Sequence, residues 1–193
     1  MTTITLDLRP LIYLTDEQFY QLCQANPDIK LERNADGELI VMPPTGWGTG
    51  KQNTKLTQRL ANWADSDGTG VVFDSSTGFS LPNGADRSPD AAWVRQERLN
   101  ALNPDPDKFL PLAPDFVVEL RSASDSLEKA QVKMQEYREN GVCLGWLINP
   151  KDRQVEIYRQ QRDVEVIQSP TTLSGEDVLP GLVLDLKGIL FQC

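Results

Sequence analysis

Apolar residues cluster in two short runs, FVVEL at 116–120 and CLGWLI at 143–148. Runs of this length that are rich in β-branched and aromatic residues are typical of buried strands. Between the runs, apolar residues recur at helical spacing, at Leu127, Ala130, Met134 and Tyr137. The order strand, helix, strand predicts a parallel crossover over residues 115–149.

The ends of this helix carry their own signals. Asp125 followed by Glu128 predicts a capping box at its start, and Gly141 suits the left-handed position just past its end. One acid, Glu119, stands inside the first apolar run, where an unpaired charge is expensive. We therefore expect Glu119 to have a partner that compensates its charge.

The first third of the chain predicts a helix, a β-hairpin and a second helix. Thr15 and Gln18 form a capping-box pattern for the first helix. Asp36-Gly37 is a strong turn signal between two strands within residues 29–42. Residues 50–65 then have the spacing of an amphipathic helix.

From Val71 onward, the pattern changes to the period of strands. The segments VVFD, GFSLP and SPDAAWV predict three strands, and QVEIYR with VEVIQ predicts a later hairpin. The chain shows no internal repeat, low-complexity segment or linker, so we predict one domain over residues 1–193. The expected fold is α/β, or α+β with a mixed sheet flanked by helices.

The composition limits the classes of catalysis and of metal site that the chain can form. The 193-residue chain has no histidine, which excludes Ser-His-Asp and Cys-His catalysis and nearly every zinc site. Its formal net charge of −9 argues against passive nucleic-acid binding as the main task, but not against an enzyme with a local basic cleft. Its three cysteines, Cys23, Cys143 and Cys193, are too widely spaced for a disulfide framework, and Cys143 is expected to be buried.

The sequence shows no signal for a membrane. No apolar run approaches the roughly 20 residues that span a bilayer. The N-terminal residues lack the pattern of a signal peptide. We therefore expect a cytoplasmic protein without a membrane partner.

Two acids have positions that suit the binding of a metal ion. Asp90 directly follows Pro89 and begins the strand DAAWV, and Glu119 lies near the end of FVVEL. If these strands are neighbours, about 5 Å apart, the two carboxylates can share one divalent cation. Oxygen ligands favour Mg²⁺ or Mn²⁺, which can polarise a phosphodiester and activate water. The alternative is structural: Asp90 caps a turn and Glu119 pairs with an arginine.

Phosphoryl chemistry also needs a cation that stabilises charge on the phosphate. Arg121 lies two residues after Glu119, on the same face of an ideal strand. Lys133 lies on the flank of the helical stripe near Tyr137. Its side chain either extends to solvent or reaches the strand ends. Arg121 also remains a candidate for a simple ion pair with Glu119.

Three segments carry a family resemblance. These segments occur in the order SPDAAWV, APDFVVELRS and KMQEYRENGVCLGWLINP. In them the chain resembles the Uma2 family of restriction-endonuclease-like proteins, within the PD-(D/E)xK nuclease superfamily. LERNADGELIVMPPTG and LSGEDVLPGLVLDL are also similar to that family. The resemblance implies a restriction-endonuclease-like mixed sheet flanked by helices, with an added N-terminal helix and hairpin, and a metal-dependent nuclease site.

The resemblance also implies roles for particular residues. Asp90 matches the acid of the PD element, and Glu119 matches the acid of the second element. Arg121 stands where the family pattern has lysine, so Lys133, in a Lys-x-x-x-Tyr pattern with Tyr137, is expected to supply a migrated lysine.

Four further residues follow from the same resemblance. Glu32 is expected to be an additional metal ligand, with Glu38 as the less favoured alternative. Asn53 stands where many relatives have a histidine, which puts the role of that histidine in doubt here. Gln135 resembles glutamines on the same helix of related nucleases, although an exposed polar position explains it equally well.

The leading hypothesis is an endonuclease that hydrolyses DNA with Mg²⁺ or Mn²⁺. A second hypothesis, from a different class of function, is a catalytically inactive nuclease-fold protein that serves as a binding or assembly module. A third hypothesis is metal-dependent hydrolysis of RNA or a nucleotide. Related nucleases often act as dimers, so the resemblance also implies a homodimer.

Overall fold

A computed structural model describes residues 3–9 and 11–191 of the chain. Within these residues there are four helices: α1 (Asp16–Ala25), α2 (Trp47–Asp67), α3 (Gln96–Leu102) and α4 (Leu127–Glu139). The same residues form thirteen strands: β1 (Ile4–Leu6), β2 (Lys30–Arg33), β3 (Leu39–Met42), β4 (Gly70–Asp74), β5 (Phe79–Ser80), β6 (Asp86–Arg87), β7 (Ala91–Arg95), β8 (Phe116–Leu120), β9 (Leu144–Asn149), β10 (Gln154–Arg159), β11 (Glu165–Gln168), β12 (Thr172–Ser174) and β13 (Val183–Asp185). None of the described helices has both the length and the apolar character to cross a membrane.

The central sheet has six strands in the order β11-β10-β9-β8-β7-β4. β8 and β9 are parallel and are joined through α4, whereas the other neighbours in this sheet are antiparallel. The predicted mixed sheet and its parallel crossover are therefore confirmed.

A second sheet has five antiparallel strands in the order β1-β3-β2-β6-β5. The predicted hairpin forms its β2 and β3, and α1 is the predicted N-terminal helix. The predicted strand GFSLP contains β5, but the sequence did not predict β6 or the pairing of these strands in a second sheet, because β5 and β6 have only two residues each. Such strands are too short to show the alternation on which prediction depends.

The side chains of β8 alternate between two cores, one on each face of the central sheet. Every second residue of β8 lies in the core beneath α2, namely Phe116, Val118 and Leu120. Val117 lies in the other core, together with Met134 and Tyr137 of α4. Glu119 shares the face of Val117, so its side chain lies beneath α4.

Helix ends show two confirmed predictions and one wrong prediction. Thr15 and Gln18 form the predicted capping box of α1. The N-cap of α4 is Ser126 rather than Asp125, because the Asp125 carboxylate accepts a hydrogen bond from the backbone N–H of Ser122 and closes a turn. The helix therefore begins one residue later. Gly141 has the expected positive φ, +103°.

Three remaining predictions have different outcomes. The prediction that Cys143 is buried is wrong: the residue is half-buried, and the neighbouring Val142 occupies the core position instead. Cys193 lies outside the described residues. The organisation of residues 1–193 as one domain stays a prediction.

Candidate active site

Asp90 and Glu119 are brought together by the pairing of β7 with β8. The antiparallel register places Ala91 opposite Val118, so the residue before β7 lies beside Glu119. Asp90 Oδ2 accepts a hydrogen bond of 2.7 Å from the backbone N–H of Leu120, which holds this carboxylate at the end of β8. The two predicted acids therefore share one end of the sheet.

Asn53 of α2 contacts the other oxygen of Asp90. Its Nδ2 donates to Asp90 Oδ1 over 2.9 Å. An ionised carboxylate only accepts hydrogen bonds, so the amide nitrogen must face Asp90. Asn53 Oδ1 is then buried and has no hydrogen-bond partner among the described residues. No described lysine or arginine pairs with Asp90, whose partners are both neutral donors.

Lys133 reaches from α4 to the end of β8 instead of extending to solvent. Its Nζ lies 2.7 Å from Glu119 Oε1 and 2.8 Å from Glu32 Oε1. The lysine side chain is only 15% exposed. Tyr137, one turn further along α4, donates its hydroxyl to the same Glu119 Oε1 over 3.0 Å. The partner expected for Glu119 is therefore a lysine.

Glu32 of β2 is buried and fully engaged. Besides Lys133, its Oε1 accepts from the backbone N–H of Ser88 over 2.9 Å, and its Oε2 accepts from Arg87 Nη1 over 3.1 Å. Arg87 also donates through Nε to Glu136 of α4 over 2.5 Å. A chain of alternating charges thus connects the second sheet, through Glu32, to Lys133.

The electrostatics of the two glutamates differ. Burial raises the pKa of Glu119 to about 7, and the negative charges of Asp90 and Glu32 add to the rise, although Lys133 opposes it. Burial also acts to raise the pKa of Glu32, but Lys133 and Arg87 together bring it down to about 2. Burial acts to lower the pKa of Lys133, yet Glu119 and Glu32 raise it above its usual value. Lys133 therefore stays protonated at neutral pH.

The donor set fits a hard divalent cation. Within residues 3–9 and 11–191, no group of three or more His, Cys, Asp or Glu side chains is arranged to hold a metal ion. Mg²⁺ commonly uses only one or two carboxylates and completes its coordination with water and substrate phosphate. Asp90 and Glu119 supply two such carboxylates, and Glu119 Oε2 accepts no hydrogen bond from any described residue. Glu32 accepts three hydrogen bonds and two of its donors are the cations Lys133 and Arg87, whereas the donors to Asp90 are neutral, so the predicted role of Glu32 as a ligand has no support in these contacts.

Arg121 lies away from Glu119, contrary to the expectation from strand alternation. β8 ends at Leu120, and the chain turns immediately afterwards, so the alternation no longer applies. Arg121 Nη1 instead donates to Asn149 over 3.1 Å and to Asp152 over 3.0 Å, and its Nε donates to the Asp125 carbonyl. The alternative in which Arg121 pairs with Glu119 is therefore wrong.

Two further candidates make contacts only outside the site. Glu38 accepts a hydrogen bond from Asn34 within the hairpin and lies 3.4 Å from Arg9. Gln135 donates to Glu139 along α4, as an ordinary polar helix residue does. Neither side chain hydrogen-bonds with the carboxylates that surround Lys133.

Sequence reasoning missed Arg87 and Glu136. Arg87 belongs to the two-residue β6, and Glu136 lies within a helix that is rich in charged residues. The only available signal was that Arg87 lies three residues before Asp90 in the same segment.

Comparisons with known proteins identify the family and the fold. The model of the Uma2 family, described as "Putative restriction endonuclease", matches residues 16–187. A similar solved structure is that of a "putative nuclease belonging to DUF820" from Anabaena variabilis. It is 19% identical, the match covers 92% of this chain and 97% of that chain, and the TM-score is 0.76, which shows a shared fold. No curated protein matches the chain at a significant level.

Proposed function

The chain belongs to the Uma2 family, and we propose that it is an endonuclease that hydrolyses DNA phosphodiester bonds with the help of Mg²⁺ or Mn²⁺. One observation carries the proposal: Asp90, Glu119 and Lys133 meet at one end of the central sheet. Paired carboxylates can hold a metal ion that activates water, and an ammonium can stabilise the charge that develops on the phosphate. The family's description and the shared nuclease fold support the same reaction class.

Asp90 and Glu119 are the residues that would hold the cation. Asp90 is fixed by Asn53 and by the Leu120 N–H, and Glu119 is held through Oε1, which leaves its Oε2 available. When bound, a divalent cation supplies Lewis-acid chemistry that lowers the pKa of an attacking water and neutralises phosphate charge. The cation would also relieve the repulsion that two neighbouring carboxylates impose on each other.

Lys133 acts as a hydrogen-bond donor and not as a base, because the two glutamates keep it protonated. An ammonium has three N–H donors, of which Glu32 and Glu119 accept two. The third is available for a phosphate oxygen on which negative charge develops. Glu32 keeps the lysine at this end of the sheet and is itself anchored by Arg87 and by the Ser88 N–H.

The test is a cleavage assay with supercoiled plasmid, linear duplex DNA, single-stranded DNA and RNA, each with Mg²⁺, Mn²⁺ or EDTA. We expect metal-dependent cleavage of DNA that Asp90→Asn and Glu119→Gln each lower by about 100-fold or more. Glu156→Gln is a matched control, because Glu156 is a buried acid on the same side of the sheet that contacts Gln131 and Tyr158 instead.

Unchanged cleavage in Asp90→Asn and Glu119→Gln would refute the proposal. Cleavage of RNA alone would favour the RNA hypothesis. A complete lack of cleavage by correctly folded protein, on every substrate and with both metals, would favour the binding or assembly module. The homodimer and the cytoplasmic location stay predictions, and sedimentation velocity tests the homodimer.

A further inference from the structure

Two donors from α4 converge on a single oxygen of Glu119. Lys133 Nζ lies 2.7 Å from Oε1, and the hydroxyl of Tyr137 lies 3.0 Å from the same atom. A carboxylate oxygen has about two lone-pair sites, so these contacts saturate Oε1. Oε2 accepts nothing from the described residues. The carboxylate is thus held by one oxygen only.

We propose that Tyr137 is a positioning residue whose hydroxyl holds Oε1 of Glu119 and so keeps Oε2 directed toward the divalent cation. The inference rests on the proposed function, because it assigns a consequence to the metal site. It adds a residue for which the sequence indicated only a place in an apolar stripe and in a family-like pattern.

The packing around Tyr137 makes its hydroxyl a fixed point. The residue has no exposed surface and lies in the core beneath α4 with Met134, Val142 and Leu147. Closely packed aromatic rings of this kind have little freedom to move. A phenol hydroxyl is protonated at neutral pH, and the ionised carboxylate that would hold a cation can only accept, so Tyr137 is the donor of this hydrogen bond in the metal-binding form. The ring therefore sets the orientation of the Glu119 carboxylate.

Tyr137 can hold the Glu119 carboxylate throughout the reaction, whereas Lys133 also interacts with other anions. The lysine divides its donors between Glu32 and Glu119 and is the cation that a phosphate would attract. Its flexible side chain shifts readily toward a new anion. The hydroxyl of Tyr137 has Glu119 as its hydrogen-bond partner within the described residues. It therefore maintains the orientation of the carboxylate when the lysine turns toward substrate.

The chain offers a matched control in Tyr158 of β10. Its side chain is also buried, and its hydroxyl donates to a buried carboxylate, Glu156 Oε2, over 2.7 Å. Both tyrosines belong to the same core. Tyr137→Phe and Tyr158→Phe thus remove the same chemical group from the same core, but only the first removes it from the candidate metal site.

The experiment measures Mn²⁺ affinity by electron paramagnetic resonance of the free ion, for the wild type and for both phenylalanine variants. We expect Tyr137→Phe to weaken Mn²⁺ binding about tenfold, since groups that orient a metal ligand typically contribute 10- to 100-fold. The Mn²⁺ concentration for half-maximal DNA cleavage should rise by the same factor. Tyr158→Phe should leave both values unchanged. Equal Mn²⁺ affinity in the wild type and in Tyr137→Phe would overturn the inference.

An Asp90→Asn arm separates this inference from the proposed function. If Asp90→Asn abolishes Mn²⁺ binding while Tyr137→Phe has no effect, only the inference about Tyr137 fails. If Asp90→Asn leaves Mn²⁺ affinity unchanged, the proposed metal site fails. A wild-type protein without affinity for Mn²⁺ would overturn both.

Discussion

Replacing Lys133 with methionine probes the electrostatic centre of the site. Methionine keeps an unbranched side chain of similar length and a good helix propensity, so the change mainly removes one ammonium. That ammonium lies within 2.8 Å of both Glu32 and Glu119, and these side chains are 2% and 14% exposed. Two carboxylates that are largely withdrawn from water would lose the cation they share.

The expected loss follows from the remaining contacts. Removing one member of a buried ion pair costs about 3–5 kcal/mol in the free energy of unfolding. Glu32 keeps its hydrogen bonds from Arg87 and the Ser88 N–H, and Glu119 keeps the one from Tyr137. We therefore expect a loss near the lower end of this range, about 3 kcal/mol in the free energy of unfolding at pH 8. Glu119 already has a pKa of about 7 with Lys133 present, and without the lysine this pKa rises further. Protonation of Glu119 then relieves part of the cost at lower pH.

The assay is urea unfolding at pH 6 and pH 8, with Lys129→Met as the control. Lys129 is an exposed lysine on the same helix. We expect the stability deficit of Lys133→Met to grow from pH 6 to pH 8, and Lys129→Met to remain close to the wild type. A deficit equal to that of Lys129→Met, or one that shrinks as the pH rises, would refute the reasoning.

Three further predictions concern separate parts of the structure. The pKa of Glu119 is raised from 4.5 to about 7, so ionisation of this group should lower the free energy of unfolding of the metal-free protein by about 3 kcal/mol between these two pH values. Urea unfolding of the wild type over this range should show this loss of stability, and Glu119→Gln should not. Saturating Mg²⁺ should abolish the pH-dependent loss in the wild type. Arg121→Gln should retain DNA cleavage, because Arg121 contacts Asp152 and not the carboxylate pair; a loss as large as that of Lys133→Met in a plasmid assay would contradict this. Arg33→Met should destabilise the protein by about 3–5 kcal/mol in urea unfolding, because it leaves the buried Asp86 without its cation. A loss below about 1 kcal/mol would show that the ion pair between Arg33 and Asp86 contributes little to stability.

The sequence was sufficient for the central strands and for the meeting of the two acids. Asp90 and Glu119 lie on strands whose apolar pattern is strong, and a parallel crossover fixes the neighbour of β8. The sequence could also indicate that Lys133 lies on the edge of an apolar stripe. It could not decide whether that lysine extends to solvent or turns inward, because its second partner, Glu32, comes from a hairpin 101 residues earlier in the chain.

The errors have local causes. Arg121 was expected beside Glu119 because strand alternation was extended one residue beyond the actual end of β8. Arg87 was missed because a two-residue strand carries no periodic signal, although its guanidinium links Glu32 to Glu136. Contacts of this kind depend on tertiary placement, and no local pattern of residues encodes them.

The most direct test of the metal site is a crystal structure of the protein soaked in Mn²⁺, with the ion located by its anomalous scattering. We predict a single peak about 2 Å from a carboxylate oxygen of Asp90 and about 2 Å from Oε2 of Glu119, with Lys133 still beside Oε1. A peak elsewhere on the protein, or a soaked crystal with no peak beside these two carboxylates, would contradict the proposed site.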